Sequence, residues 1–250
     1  GATDNHYGVF IGNNDAARLA NITTGSGAIN ILGDSTNNSG INRRGILMYK
    51  AAVSSTSGAI TFDGRAGTNT GCVDLWFYSG NNSISSTSGA VLIKGASGAT
   101  STFENSTISS GSSVTLQVSK PAVATSNTLT LGGAGDKVIE YPAAATDFAA
   151  NVDTARFAFG TTSKSIRIGT DSVTKSLTVS SAIGAAGPIS LLANSVQFIK
   201  TAGLDTSALT GAAILVKARV WIQTDSQDSA AGATKFVTDN GDVTFWTASA

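Results

Sequence analysis

Short runs of this chain alternate apolar and polar residues with a period of two. In Gly58-Ala59-Ile60-Thr61-Phe62-Asp63-Gly64, Ile60 and Phe62 fall on one side and Thr61 and Asp63 on the other. Val73, Leu75 and Phe77 share a side of the next run, and a shorter run surrounds Ile84. Breaks rich in Gly and Asn, Gly67-Thr68-Asn69 and Gly80-Asn81-Asn82, separate the runs. Strand side chains alternate between faces, so period-two runs bounded by such breaks predict strands.

The runs recur at a fixed spacing. Ser26-Gly27-Ala28-Ile29 returns as Ser57-Gly58-Ala59-Ile60 and as Ser88-Gly89-Ala90-Val91, 31 residues apart each time (58 − 27 and 89 − 58). Asn38 and Gly40 fall on Asn69 and Gly71 in the same register, and Val53-Ser54-Ser55-Thr56 falls on Ile84-Ser85-Ser86-Thr87. Each unit holds about three short strands and three turns, with no helix between them; units of that kind stack as a parallel β-solenoid. Ile29, Ile31, Ile60, Phe62, Val91 and Ile93 are then expected to form stacked core columns.

The second half repeats less evenly. Gly187-Pro188-Ile189-Ser190-Leu191 and Ser195-Val196-Gln197-Phe198 are followed by Gly211-Ala212-Ala213-Ile214-Leu215 and Arg219-Val220-Trp221-Ile222, at a spacing of 24 (211 − 187 and 220 − 196). Gly241-Asp242-Val243-Thr244-Phe245 opens another turn, and Ser165–Ile168 and Ser176–Val179 add two strands. Units of roughly 20 to 31 residues predict about ten turns, a rod of about 45–50 Å. Residues 142–158 are Ala-rich and lack the period, so they read as a short helix or an irregular excursion on the rod's side. Strands of like pattern flank them. The organisation expected is one domain over 1–250, with regular turns over 26–118, an insertion at 132–160 and shorter turns over 161–250.

Composition supports β-structure and removes several functions. The chain has 250 residues, 41% hydrophobic and with 3 Pro, which argues against a disordered linker despite the abundance of Gly, Ala, Ser and Thr. Only Glu104 and Glu140 are Glu. Sixteen Lys and Arg balance sixteen Asp and Glu without a basic cluster, which excludes a phosphate-tracking groove and hence a nucleic-acid partner. No apolar run is long enough to insert in a membrane as a helix. Cys72 is the lone Cys, which leaves no disulfide framework or thiolate metal site; it reads as a small core residue. The chain opens without Met and closes on an apolar segment, so both ends read as cuts in a longer protein.

The Gly-x-Ile-x-Phe/Leu-x-Gly/Ala units at 27–33, 58–64, 89–95, 187–193 and 211–218 resemble the repeat region of filamentous-haemagglutinin-like exoproteins. The resemblance covers most of the chain as a pattern. It implies a right-handed parallel β-helix shaft, export to the bacterial surface, and a role in adhesion or surface structure. The Asn-Pro motifs of that family's secretion domain do not occur here, so the match is to shaft alone.

Candidate chemistry is sparse. The only His is His6, close to the first residue, which leaves no nucleophile–base set. Polysaccharide-active solenoids need convergent carboxylates or a cationic base. Here Asp225/Asp228 and Asp239/Asp242 look like turn residues, and Asp63 and Lys94 share one column, with Asp34 nearby. Gly132-Gly133-Ala134-Gly135-Asp136 is close to a calcium nonapeptide but has its Asp one residue early and no second copy. Sequons occur at Asn21, Asn37, Asn81 and Asn105, and Thr128/Thr130 is the one clear Thr-x-Thr pair. No catalytic, cofactor-binding or metal-binding residue is assigned and no enzyme activity is expected.

The aromatic residues offer a contact surface. Trp76 lies between Leu75 and Phe77, Trp221 between Val220 and Ile222, and Trp246 follows Phe245. If those neighbours face the core, Trp76, Tyr78, Trp221 and Trp246 face outward, unless a loop such as 141–158 covers the three Trp or a register error places them inside. The function expected is a secreted, cell-surface structural or adhesive solenoid, extracellular in location. Its partners would be another cell surface, a glycan, a protein or neighbouring copies of the fibre. The alternatives are a polysaccharide-active β-helix enzyme, a phage tail fibre or spike segment, and an assembly protein stacking end to end into a filament.

Overall fold

The computed structural model describes residues 6–12, 19–37, 41–67, 69–142, 145, 147–199, 201–224 and 233–248. Gly40, Asn38, Ser39, Asp225, Asp228, Ala143, Ala144 and Thr146 lie outside them. The fold is an all-β parallel solenoid of about eight turns, and none of the described residues is helical. The described residues of 142–158 therefore take no helix; Val152–Asp153 and Phe157–Phe159 are strands of the stack.

Three faces run along the rod. The first begins with Ile29–Asp34 and continues through Ile60–Arg65, with each strand parallel to the last. The second begins with Tyr7–Gly12, Arg44–Tyr49 and Val73–Tyr78. The third stacks Ala20–Thr24, Ala51–Ser55, Asn82–Ser86 and Ser106–Ser110. Faces one and two merge into a 14-stranded sheet because strands such as Val91–Phe103 and Ile189–Phe198 carry on from one face to the next. The third face is a six-stranded sheet followed by a three-stranded one.

The first-face core column runs Ile29–Ile60–Val91–Val114–Lys137–Ile166–Ile189–Ile214 and ends in register on the exposed Val243. Ile31, Phe62 and Ile93 stand in register beside it. Ile29, Ile60, Phe62, Val91 and Ile93 are buried, and Ile31 is partly covered. Removing such side chains from water is worth about 2 kcal/mol each, and no turn can bury them alone. The eight steps of this column span residues 29 to 243 and average about 27 residues, near the long end of the expected 20 to 31, so the chain makes about eight turns and not ten.

A hydroxyl ladder closes the corner between the third and first faces. Thr24, Ser55, Ser86 and Ser110 stack in register. Ser86 Oγ donates to the Gly58 carbonyl of the preceding turn (3.0 Å) and accepts from the Gly89 N–H of its own (2.9 Å). Ser55 repeats this with Gly25 and Gly58. A Cβ at Gly58 or Gly89 would meet a backbone oxygen of the turn below at 1.9 or 2.3 Å, so the Ser-x-x-Gly repeat is required at both ends. Cys72 is buried against Ala66 and Ala99 at another corner.

Candidate aromatic contact site

The outward side of the second face carries an aromatic platform across three adjacent turns. Strand register places Phe10, Leu47 and Trp76 in one row and Tyr49 beside Tyr78 in another, with Tyr7 opposite Arg44. Tyr7, Phe10 and Tyr78 are 42%, 46% and 40% exposed, whereas Leu47 is buried beneath its aromatic neighbours. Ring centroids lie 5.9 Å apart for Tyr7–Phe10, 5.5 Å for Tyr49–Tyr78 and 4.9 Å for Trp76–Tyr78. These seven side chains line an open cavity of about 390 Å³.

Two charged groups hold the platform in shape. The Arg44 guanidinium sits 4.2 Å from the centre of the Trp76 ring and 5.6 Å from that of Tyr7, and its Nη1 donates to the Asn42 carbonyl. Partial burial lowers its pKa from the ordinary arginine value, and the nearby Tyr7 and Cys72 oppose that shift. Glu104, from the next turn, accepts from Trp76 Nε1 (3.1 Å) through one oxygen and from the Ser79 N–H (2.9 Å) through the other. The indole edge and the corner after Tyr78 are thus tied to one carboxylate, which fixes the ring orientation before any ligand arrives.

Of the residues singled out in the sequence, Trp76 and Tyr78 meet here. Trp221 and Trp246 do not. Trp221 lies on the same face near the other end, opposite Ser195, and is 42% exposed. Trp246 lies on the first face opposite Lys217, whose ammonium is 4.6 Å from its ring centre and 2.8 Å from Asp171. Val220 is 60% exposed and not a core residue, because the register shift between Ala193 and Ser195 takes the partners from 25 apart (218 − 193) to 26 apart (222 − 196), so that Val196 pairs with Ile222 and not, as a spacing of 24 would have it, with Val220. Tyr141 and Phe148 in the 141–158 stretch pack on each other, while Trp221 and Trp246 are uncovered.

Three of the carboxylates weighed as catalytic groups, Asp63, Asp34 and Asp239, have structural partners. Asp63 accepts from Arg65 (2.8 Å) and Lys94 (3.2 Å). Burial pushes its pKa up, but the hydrogen bonds from Arg65 and Lys94 outweigh that and hold it below the usual carboxylate range. Asp34 bonds Thr36, which lowers its pKa as well. Asp239 accepts from Thr210, and the Asp242 carbonyl accepts from Ile214. The His6 carbonyl accepts from the Arg44 N–H. In the Gly132–Asp136 turn the Gly133 and Gly135 carbonyls, which a calcium ion would need, accept from the Lys137 ammonium at 2.9 and 2.5 Å. Asn105 caps the Thr128 N–H with its side-chain oxygen.

The reading of the sequence missed Tyr7, Phe10, Arg44, Leu47, Tyr49 and Glu104. In the early turns partners on faces one and three are 31 apart (60 − 29 and 51 − 20), but on face two they are 37 apart (44 − 7) and then 29 apart (76 − 47 and 78 − 49). The link from face one to face two shortens by two residues between the first and second of these turns (44 − 34 against 73 − 65), and the link into face three lengthens to compensate. The 31-residue register therefore sets Tyr49 beside the wrong residue. Comparison of the chain with family models, curated proteins and solved structures finds no match.

Proposed function

We propose that this chain is a structural and adhesive β-solenoid of a secreted, filamentous-haemagglutinin-like bacterial surface protein, with the aromatic platform as its contact surface. The platform is the observation that carries this reading. Three of the four Tyr of the chain, Tyr7, Tyr49 and Tyr78, converge on one outward patch with Trp76 and Phe10. A core has no use for aromatic rings left open to water, and exposed apolar patches of this kind mark interaction sites. The rod supplies stiffness: its backbone hydrogen bonds run along the axis and join every turn to the next.

The test is attachment. Labelled protein is applied to bacterial and eukaryotic cell layers, and retention is compared with that of a Tyr7→Ser/Tyr78→Ser variant whose melting curve is unchanged. Retention by the native chain and loss of most of it in the variant is the expected result. Equal retention by both proteins would remove the platform as the contact surface.

A further inference from the structure

We propose that the platform is a carbohydrate site for a neutral, pyranose-containing glycan, an assignment that rests on its being the contact surface. A pyranose ring has an apolar C–H face and a rim of hydroxyls, and the platform offers the complement of both. The rings of Tyr7, Phe10 and Tyr78 are open to solvent. The hydroxyls of Tyr7, Tyr49 and Tyr78 take no intramolecular hydrogen bond among the described residues, so they remain as donors and acceptors at the cavity margin. Tyr combines apolar contact with a polar handle at low entropic cost.

Charge and size select among ligands. Two cations lie over its rings, Arg44 on Trp76 and Lys50 at 5.6 Å from the centre of Tyr49, and the carboxylate of Glu104 accepts from Trp76 and Ser79. Two ring-stacked cations against one carboxylate leave too small a net charge to favour a polyanion or a polycation, and nucleic acid would need several basic groups tracking a backbone. A protein partner of ordinary affinity covers about 800 Å² on each side, but beyond Trp76 the row continues into Thr102 and Ala122, which offer no anchor. A cavity of about 390 Å³ instead falls at the small end of the range for ligand pockets, about 300–1,000 Å³. The prepared geometry favours a rigid ligand, because the ring locked by Glu104 and Arg44 loses little freedom on binding.

Affinity electrophoresis tests this with soluble polysaccharides cast in the gel: hydroxyethyl cellulose, xylan, galactomannan and glycogen as neutral probes, alginate and polygalacturonate as acidic ones. The native chain should be retarded by at least one neutral probe. Trp76→Ala and Tyr78→Ser should each weaken that retardation by about tenfold or more, Tyr78→Phe by less, and Leu209→Ser, at an exposed apolar residue elsewhere, not at all. Tyr78→Ser removes an exposed ring and keeps the test open if Trp76→Ala fails to fold. No retardation by any neutral probe overturns the assignment, as does retardation that survives both substitutions or appears only with the acidic probes. Cell attachment separates this failure from that of the contact reading. Attachment that depends on Tyr7 and Tyr78 but survives periodate oxidation of the cell surface keeps the contact surface and removes the sugar. Attachment that depends on neither removes both.

Discussion

The third-to-first-face corner is built in two ways along the rod. In the early turns the hydroxyls of Ser55, Ser86 and Ser110 fill it, each bonding a carbonyl of the turn before. Ser109 pairs with Gly132, so the ladder position after Ser110 falls on Gly133, which has no side chain to supply. There Lys137, in the core column between Val114 and Ile166, turns its ammonium onto the Gly133 and Gly135 carbonyls. The corner requires hydrogen-bond donors facing inward. A small hydroxyl meets that need without disturbing the column, whereas a lysine meets it at the cost of burying a cation.

The sharpest way to break this comparison is to put the wrong charge in the column. Ile60 occupies the position that Lys137 occupies three turns on and is fully buried. Carbonyl oxygens line that corner, so Ile60→Asp would place an anion among acceptors with no donor in reach. It should cost about 4 kcal/mol or more, read as loss of the cooperative urea transition at 25 °C. A variant that melts like the native chain would show that the columns are not the core.

The second prediction concerns the lysine. Burial pulls the Lys137 pKa from 10.5 down to about 8, opposed by the neighbouring Asp136 carboxylate. The unfolded chain keeps this proton up to the ordinary lysine range, while the folded chain releases it near pH 8. Between those values the unfolded state binds more protons, so stability rises with pH over that window. The gain is at most about 3 kcal/mol. Below pH 8 the burial penalty is present in full. Lys137→Met removes the titration, so the stability difference between native chain and variant should shift toward the native chain from pH 7.5 to pH 10.5. Parallel pH profiles would place the ammonium in water.

Much of this architecture is readable from pattern alone, and the losses have physical causes. The columns of Ile60 and Phe62 could be read because faces one and three hold the 31-residue step. The alternation of buried Leu75 and Phe77 around Trp76 could be read because it is a local property, whereas Val220 and Phe245 are exposed like Trp221 and Trp246, so alternation does not hold there. Arg44 and Glu104 could not be assigned to Trp76, since each comes from a neighbouring turn and face two trades two residues between its links. Lys137 is the clearest case of hydropathy misleading. The pattern favours Val138 inside, but the structure turns Lys137 and Ile139 inward and leaves Val138 half-buried outside. The corner's demand for donors outweighs the preference of one side chain for water.

The smallest effect is the one that tests the hydroxyl ladder directly. Ser86→Ala deletes one oxygen and leaves the Gly89 N–H and the Gly58 carbonyl facing a methyl group in a buried corner. Gly58 and Gly89 cannot move to find other partners, because their backbones already lie against the turn below. The loss should be about 1–3 kcal/mol. Ser85 alternates with Ser86 and is only half-buried, so Ser85→Ala should change stability by no more than about 0.5 kcal/mol. Measured in parallel by urea denaturation, the two substitutions separate the corner hydroxyl from serine content in general. Equal effects at both positions would mean that the corner bonds add nothing beyond the strand ladder, and that Lys137 holds its place for another reason.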